Sequence, residues 1–216
     1  MRNKKKDAIE MAARRESMIK EGFRIFAAKK IEPVPMQEVA TAAGLGIATL
    51  YRYFNTKSAL VLAIATKQWK DYYVEVEKMY DKRNGDSMTA AEELEFFLDC
   101  FIDLYKNHKD LLCFNRNFDT YVRHKGLTEE QMKPYNEAVE VFAKKFHAVY
   151  QKAEKDGTLK VDLPENKFFV STLYIMLSVA GKYAEGLVYP PTLAKAEDMT
   201  EELLILKDMI MRNYKA

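Results

Sequence analysis

MQEVATAAGLGIATLYRYFNTKSAL, residues 36–60, decides the fold. Met36, Val39, Ala40 and Ala43 recur at i, i+3, i+4 and i+7, one apolar stripe on a segment of little more than two turns. Pro35 suits the first helical position, where no N–H is needed. Gly44 suits the left-handed residue that ends a helix, and Leu45 then places an apolar side chain in the corner. A second helix follows at once. Ile47, Leu50 and Phe54 recur at i, i+3 and i+7, so Leu50 and Phe54 anchor it from behind while Ala48, Thr49, Arg52 and Tyr53 turn outward, with Tyr51 at the boundary. Small residues in the first turn and hydrogen-bonding ones further along let a helix press its N-terminus against base edges in a major groove. The pattern is that of a helix-turn-helix.

Charge is distributed to match. The chain of 216 residues has a net charge of only +2. Residues 1–70, however, hold 14 Lys or Arg against 6 Asp or Glu, net +8, and the remainder holds 20 against 26, net −6. A basic end that contains the helix-turn-helix is suited to phosphates, because neutralising them releases counterions and adds sequence-independent affinity. For the run RNKKK at positions 2–6 two readings stand, a solvated terminus or a flexible arm on phosphate or the minor groove.

The rest of the chain carries helical periodicity almost throughout, with 48% hydrophobic and 31% charged residues, which predicts an all-α protein with a sizeable core. A first helix over about 7–29 carries the stripe Ile19, Phe23 and Phe26, completing a three-helix N-terminal domain over residues 1–56. Thr56 is an N-cap for a helix over about 57–82, close to 40 Å long at 1.5 Å per residue and long enough to act as a lever. Helices are expected over about 88–107, 110–124, 128–155, 164–187 and 198–214, forming a C-terminal helical domain over 57–216. The segment 164–187 is apolar on nearly all sides and needs two partners. One is its own core. The other is a second copy of the chain, with Leu173, Leu177, Leu203, Leu206 and Ile210 on the shared seam, or else the whole segment lies inside a monomer core.

Cys100 and Cys113 are too few for a disulfide framework and lie in no metal-ligand spacing, so no metal or cofactor is expected, and the chain reads as cytoplasmic. No apolar run of signal or membrane-spanning length is present. Paired catalytic acids, HExxH and Glu-x-x-His pairs are absent from residues 71–216, which argues against an enzyme.

Val39-Ala40, Ala43-Gly44, Ala48-Thr49-Leu50-Tyr51, Tyr53-Phe54 and Lys57, with Ile19, Phe23 and Phe26 before them, resemble the TetR/AcrR family of bacterial transcriptional regulators. That pattern is an Ile-Ala pair, an Ala-Gly turn, a Gly-Thr-Leu-Tyr recognition helix, then Tyr-Phe and a Lys. The resemblance covers about residues 15–62. It implies a homodimer on a palindromic double-stranded DNA operator, released when a small-molecule effector enters the C-terminal domain, hence by default a repressor. A regulator of the same type controlled by a protein partner is the alternative. Carried over by position, Ile47, Ala48 and Thr49 face bases, Tyr51 and Tyr53 reach phosphate or a base edge, and Gln37 and Lys57 grip the flanking backbone. Lys57 sits in the first turn of a helix, where the unpaired N–H groups already favour phosphate.

The chain departs from the pattern at three places. Gly46 stands where a polar cap is common, Ile47 where a polar side chain is common, and Val34-Pro35 replaces a usual Thr. Ile47 either meets a thymine methyl or folds back onto Leu50. In the C-terminal domain Phe97, Phe101 and Tyr105, then Phe114, Phe118 and Tyr121, then Phe142, Phe146 and Tyr150 form three aromatic stripes. They either line a cavity for a lipophilic or aromatic effector, with His147 orienting it, or fill a core.

Overall fold

A computed structural model describes residues 4–186 and 198–216. Its helices are α1 (Lys4–Lys29), α2 (Met36–Ala42), α3 (Ile47–Tyr53), α4 (Lys57–Lys82), α5 (Ala90–Asn107), α6 (Lys109–Lys125), α7 (Glu129–Asp156), α8 (Glu165–Phe169), α9 (Ile175–Glu185) and α10 (Thr200–Tyr214). A 3-10 turn covers Gly85–Ser87 and a π-helical turn, Val170–Tyr174, joins α8 to α9. Among the described residues there is no strand, only one antiparallel bridge between Leu159 and Lys215. No helix of the described residues is long and apolar enough to cross a membrane.

Local signals place the helix ends. Thr56 Oγ1 accepts from the Ala59 N–H at 3.1 Å, and Thr89 with Glu92 forms a full capping box at the start of α5. Gly44 is left-handed at φ +68°, with Leu45 N donating to Ala40 O and Gly44 N to Thr41 O, a Schellman closure of α2. The basic terminus departs from expectation: α1 begins at Lys4, so the tail is helical rather than a flexible arm, while Arg2 and Asn3 lie outside the described residues. Ala8, Ala12 and Ala13 favour helix, and Glu10 pairs with Arg14 one turn on.

The chain forms two compact units, residues 1–69 with 113–138 and residues 70–112 with 139–216. This differs from a linear split after residue 56. The first unit is built on Met18, Ile19, Phe26, Val39, Leu50, Leu60 and Ile64, and the same cluster contains Phe114, Phe118 and Tyr121 of α6. Three helices around a short helix-turn-helix bury too little on their own, and α6 supplies the missing apolar surface. Gly22 lets α1 and α4 approach closely, since a Cβ there would lie 2.8 Å from Ile64 Cδ1.

In the second unit α5 packs against α9 and α10, with Leu94, Leu98, Leu104, Phe168, Met176 and Leu203 buried. Glu93 is buried on α5, where it accepts from the Tyr80 hydroxyl at 2.6 Å and pairs with Lys152. The π turn follows from its hydroxyls: Thr172 Oγ1 donates to Phe168 O at 2.7 Å and Ser171 Oγ to the same carbonyl at 3.2 Å, competing with the backbone ladder.

Of the residues expected on the dimer seam, three face the core of their own unit. Leu173, Leu203 and Ile210 are buried within the unit, and Leu177 and Leu206 are half-buried. In this part of the chain the large exposed apolar side chains are Val170, Tyr174 (55%) and Ile175, and on α10 Leu204, Ile205 (60%) and Met209 (62%). A segment apolar on nearly all sides does not reveal which stripe faces inward, and the π turn shifts the register further.

Candidate nucleic-acid interface

Helix α3 is too short to hold itself. Leu50 and Phe54 are its buried anchors, and Gly46 caps it in extended conformation without a side-chain hydrogen bond. Ala48, Tyr51 and Arg52 are exposed, Thr49 is half-buried, and Gln37 on α2 is exposed with Nε2 donating to Thr41 Oγ1 at 3.2 Å.

The two tyrosines exchange the places expected of them. Tyr51 is 47% exposed, whereas Tyr53 is half-buried and packs on the core of the unit. Tyr53 lies three residues after Leu50, and i, i+3 neighbours share a helix face. Ile47 is half-buried and packs against the core of the unit. Arg52 joins the outward face, its guanidinium 5.9 Å from the Tyr53 ring centroid. It was absent from the carried-over contacts, although the spacing already turned it outward. On the other side Arg15 of α1 lies 5.3 Å from the centroid of Phe54, adding a second guanidinium next to the C-terminal end of α3.

Lys57 is placed otherwise than as a free grip on phosphate. Its ammonium donates to Glu32 O at 2.9 Å and to Val34 O at 2.7 Å, and it stands 5.7 Å from the Phe26 ring centroid. Desolvation lowers its pKa from the usual lysine value, opposed by the nearby Glu32 carboxylate. Glu32 pairs in turn with Lys125 in the last turn of α6 at 2.9 Å, a hydrogen bond that lowers the carboxyl pKa.

The candidate effector residues divide between the two units, three in the first and five in the second. Phe114, Phe118 and Tyr121 belong to the core of the first unit: Phe114 meets Phe23 at 5.6 Å, Phe118 meets Tyr135 at 4.7 Å, and the Tyr121 hydroxyl lies 2.9 Å from Ser58 Oγ. Their apolar stripe completes the N-terminal core, a partner that α6 periodicity could not name. In the second unit Phe97, Tyr105 and Phe146 are buried, and Phe101 and Phe142 are half-buried. Phe97 and Phe146 meet at 5.0 Å, Phe142 packs on Tyr73 at 5.3 Å, and the Tyr105 hydroxyl accepts from the Met199 N–H at 3.0 Å. Tyr150 donates to Leu163 O at 2.7 Å. His147 is exposed and paired with both Glu165 oxygens at 3.0 Å, a surface contact between α7 and α8.

Comparison with known proteins agrees with this geometry. Residues 18–64 match the family described as bacterial regulatory proteins, tetR family. A Staphylococcus aureus protein called HTH-type transcriptional regulator SAB2452 is 27% identical over 99 residues, 46% of this chain, and the match spans 52% of that protein's length. A bacterial regulatory protein of the tetR family from Rhodococcus RHA1 superposes with a TM-score of 0.69 at 12% identity, over 92% of this chain and 95% of the other. FadR from Bacillus subtilis, solved in complex with stearoyl-CoA, gives 0.68 at 14% identity, over 92% and 98%. At these identities the two structures establish a shared fold.

Proposed function

We propose that this chain, a member of the bacterial tetR regulatory family through its N-terminal domain, is a DNA-binding transcriptional regulator that represses as a homodimer on a palindromic operator. The observation that carries the reading is α3 itself: Leu50 and Phe54 hold it from behind, and its outward face is Ala48, Thr49, Tyr51 and Arg52. Ala48 permits close approach to base edges, Thr49 supplies a hydroxyl, and Tyr51, Arg52 and Gln37 reach phosphate. Tyr53 and Ile47 contribute mainly by holding the helix. With few hydrogen-bonding groups in the first turn, part of the specificity rests on methyl contacts and DNA shape.

The second copy docks on the exposed large apolar side chains Tyr174, Ile175, Leu204, Ile205 and Met209, the kind of residue that a two-fold interface buries. A lipophilic effector is supported by the aromatic side chains of the second unit, Phe97, Phe101, Tyr105, Phe142 and Phe146, and by the acyl-CoA complex of the similarly folded FadR. Such a ligand shifts DNA binding only by its differential affinity for the competent and incompetent arrangements.

Selection of duplexes from a random pool, followed by footprinting, tests the reading. Two inverted half-sites whose centres lie about 34 Å apart, or a multiple of it, are expected. Enrichment of a single asymmetric half-site rules out the dimer, and no enrichment at all rules out sequence-specific binding.

A further inference from the structure

A lysine in the first turn of a helix is electrostatically misplaced. The unpaired N–H groups there carry partial positive charge, and an ammonium is repelled unless something negative answers it. Lys57 opens α4, whose first turn has no acidic residue. A phosphate is one answer. The structure contains another: the carbonyl oxygens of Glu32 and Val34, at 2.9 and 2.7 Å.

Those carbonyls lie on the segment that joins α1 to α2. It starts at Lys30 in left-handed conformation, φ +67°, and is seated by the buried side chains of Ile31 and Val34. Val34 is followed by Pro35, the N-cap of α2, which makes no side-chain capping bond. Within α2 the start is marked by Pro35 and by Glu38, which pairs with Lys29 at 2.7 Å, and from outside the helix the ammonium of Lys57 holds the carbonyl one residue before the N-cap. Lys125 holds the same loop from α6 through the Glu32 carboxylate.

We infer that Lys57 is a positioning residue: its ammonium clamps the α1–α2 loop onto the start of α4, fixes where α2 begins, and so sets the presentation of α3, rather than serving as a phosphate ligand. Two of its three donors point inward to carbonyls, and the loop they hold is an element that neither the recognition helix nor its turn contains. The consequence for DNA rests on the regulator reading above. The clamp itself does not.

The experiment compares wild type, Lys57→Met and Lys57→Arg in the full chain. Amide hydrogen exchange across residues 31–39 is expected to quicken about tenfold in Lys57→Met, the scale for losing hydrogen bonds from a charged donor, and to be largely restored in Lys57→Arg. On a random-sequence duplex, the salt slope of wild type and Lys57→Met should coincide. Preference for a duplex enriched by the wild-type protein should fall about tenfold, because a displaced α3 loses base contacts while backbone attraction persists. Unchanged exchange across 31–39 overturns the clamp. A salt slope shallower by about one with preference retained returns Lys57 to phosphate binding and overturns the positioning role. Should Lys57→Met not fold, Lys57→Gln keeps a donor without the charge, and exchange across 31–39 should still be about two- to threefold faster than wild type; exchange equal to wild type overturns the clamp. If the wild-type chain enriches no duplex, the DNA reading fails, and exchange alone decides the clamp.

Discussion

The two compact units use the same kind of element to different ends. In the first, short amphipathic helices bury one stripe and leave the opposite face polar or small, so α3 has an unambiguous inside, Leu50 and Phe54, and an unambiguous outside, Ala48, Tyr51 and Arg52. In the second, the α8–α9 segment is apolar on nearly all sides between residues 168 and 180, and it buries Phe168, Leu173 and Met176 while exposing Val170, Tyr174 and Ile175. Amphipathicity specifies a face when polar residues mark what must stay wet. Where few do, packing decides which apolar face stays exposed.

The largest expected effect breaks that contrast at α6. Phe118→Ala should destabilise the first unit by about 3–5 kcal/mol, because a fully buried aromatic leaves a cavity in the core shared with α1 and α4. Denaturant unfolding with exchange measured on α1–α4 reads it. Loosening confined to residues 139–216 would show that the stripe serves the other unit.

A smaller effect is expected on the exposed apolar face. Ile205→Glu should weaken self-association by about 2–3 kcal/mol through desolvation of an unpaired carboxylate, while monomer stability changes by no more than about 0.5 kcal/mol. Sedimentation velocity across a dilution series distinguishes this from a fold defect. An unchanged dimer would place the interface elsewhere.

The smallest effect compares two tyrosines within one helix. Tyr51→Phe should cost about 1 kcal/mol in DNA binding if its hydroxyl meets phosphate, and Tyr53→Phe should cost clearly less, because Tyr53 packs on the core. Fluorescence anisotropy at matched salt gives both. Equal losses would mean that the outward face is wider than the free structure presents.

Much of this was legible in the residues themselves. The α4 bounds, Lys57–Lys82, fall where Thr56 and the periodicity put them, and the Ala43-Gly44 turn closes α2 with the left-handed glycine its sequence requires. The outward placement of Ala48 and Arg52 also follows from spacing alone. Less legible was the finer arrangement of α3: Tyr53 follows Leu50 by three positions and Tyr51 points to nearly the opposite side, but with Leu50 and Phe54 both anchoring a helix of seven residues the width of its buried face was not set by spacing. Lys57 was legible as a residue with something to answer. What answers it is a pair of carbonyls 23 and 25 residues earlier in the chain.

The sequence by itself determined the local elements: helices set by period, ends set by Thr, Gly and Pro, and a basic end carrying the helix-turn-helix. These depend on residues a few positions apart, within reach of backbone hydrogen bonds and side-chain capping. Tertiary structure decided which unit claims α6, which stripe of the α8–α9 segment stays exposed, and whether Lys57 faces a loop or the solvent. Each of those is a choice among partners distant in the chain, made by the burial and polar satisfaction of the whole unit, and no local spacing encodes it.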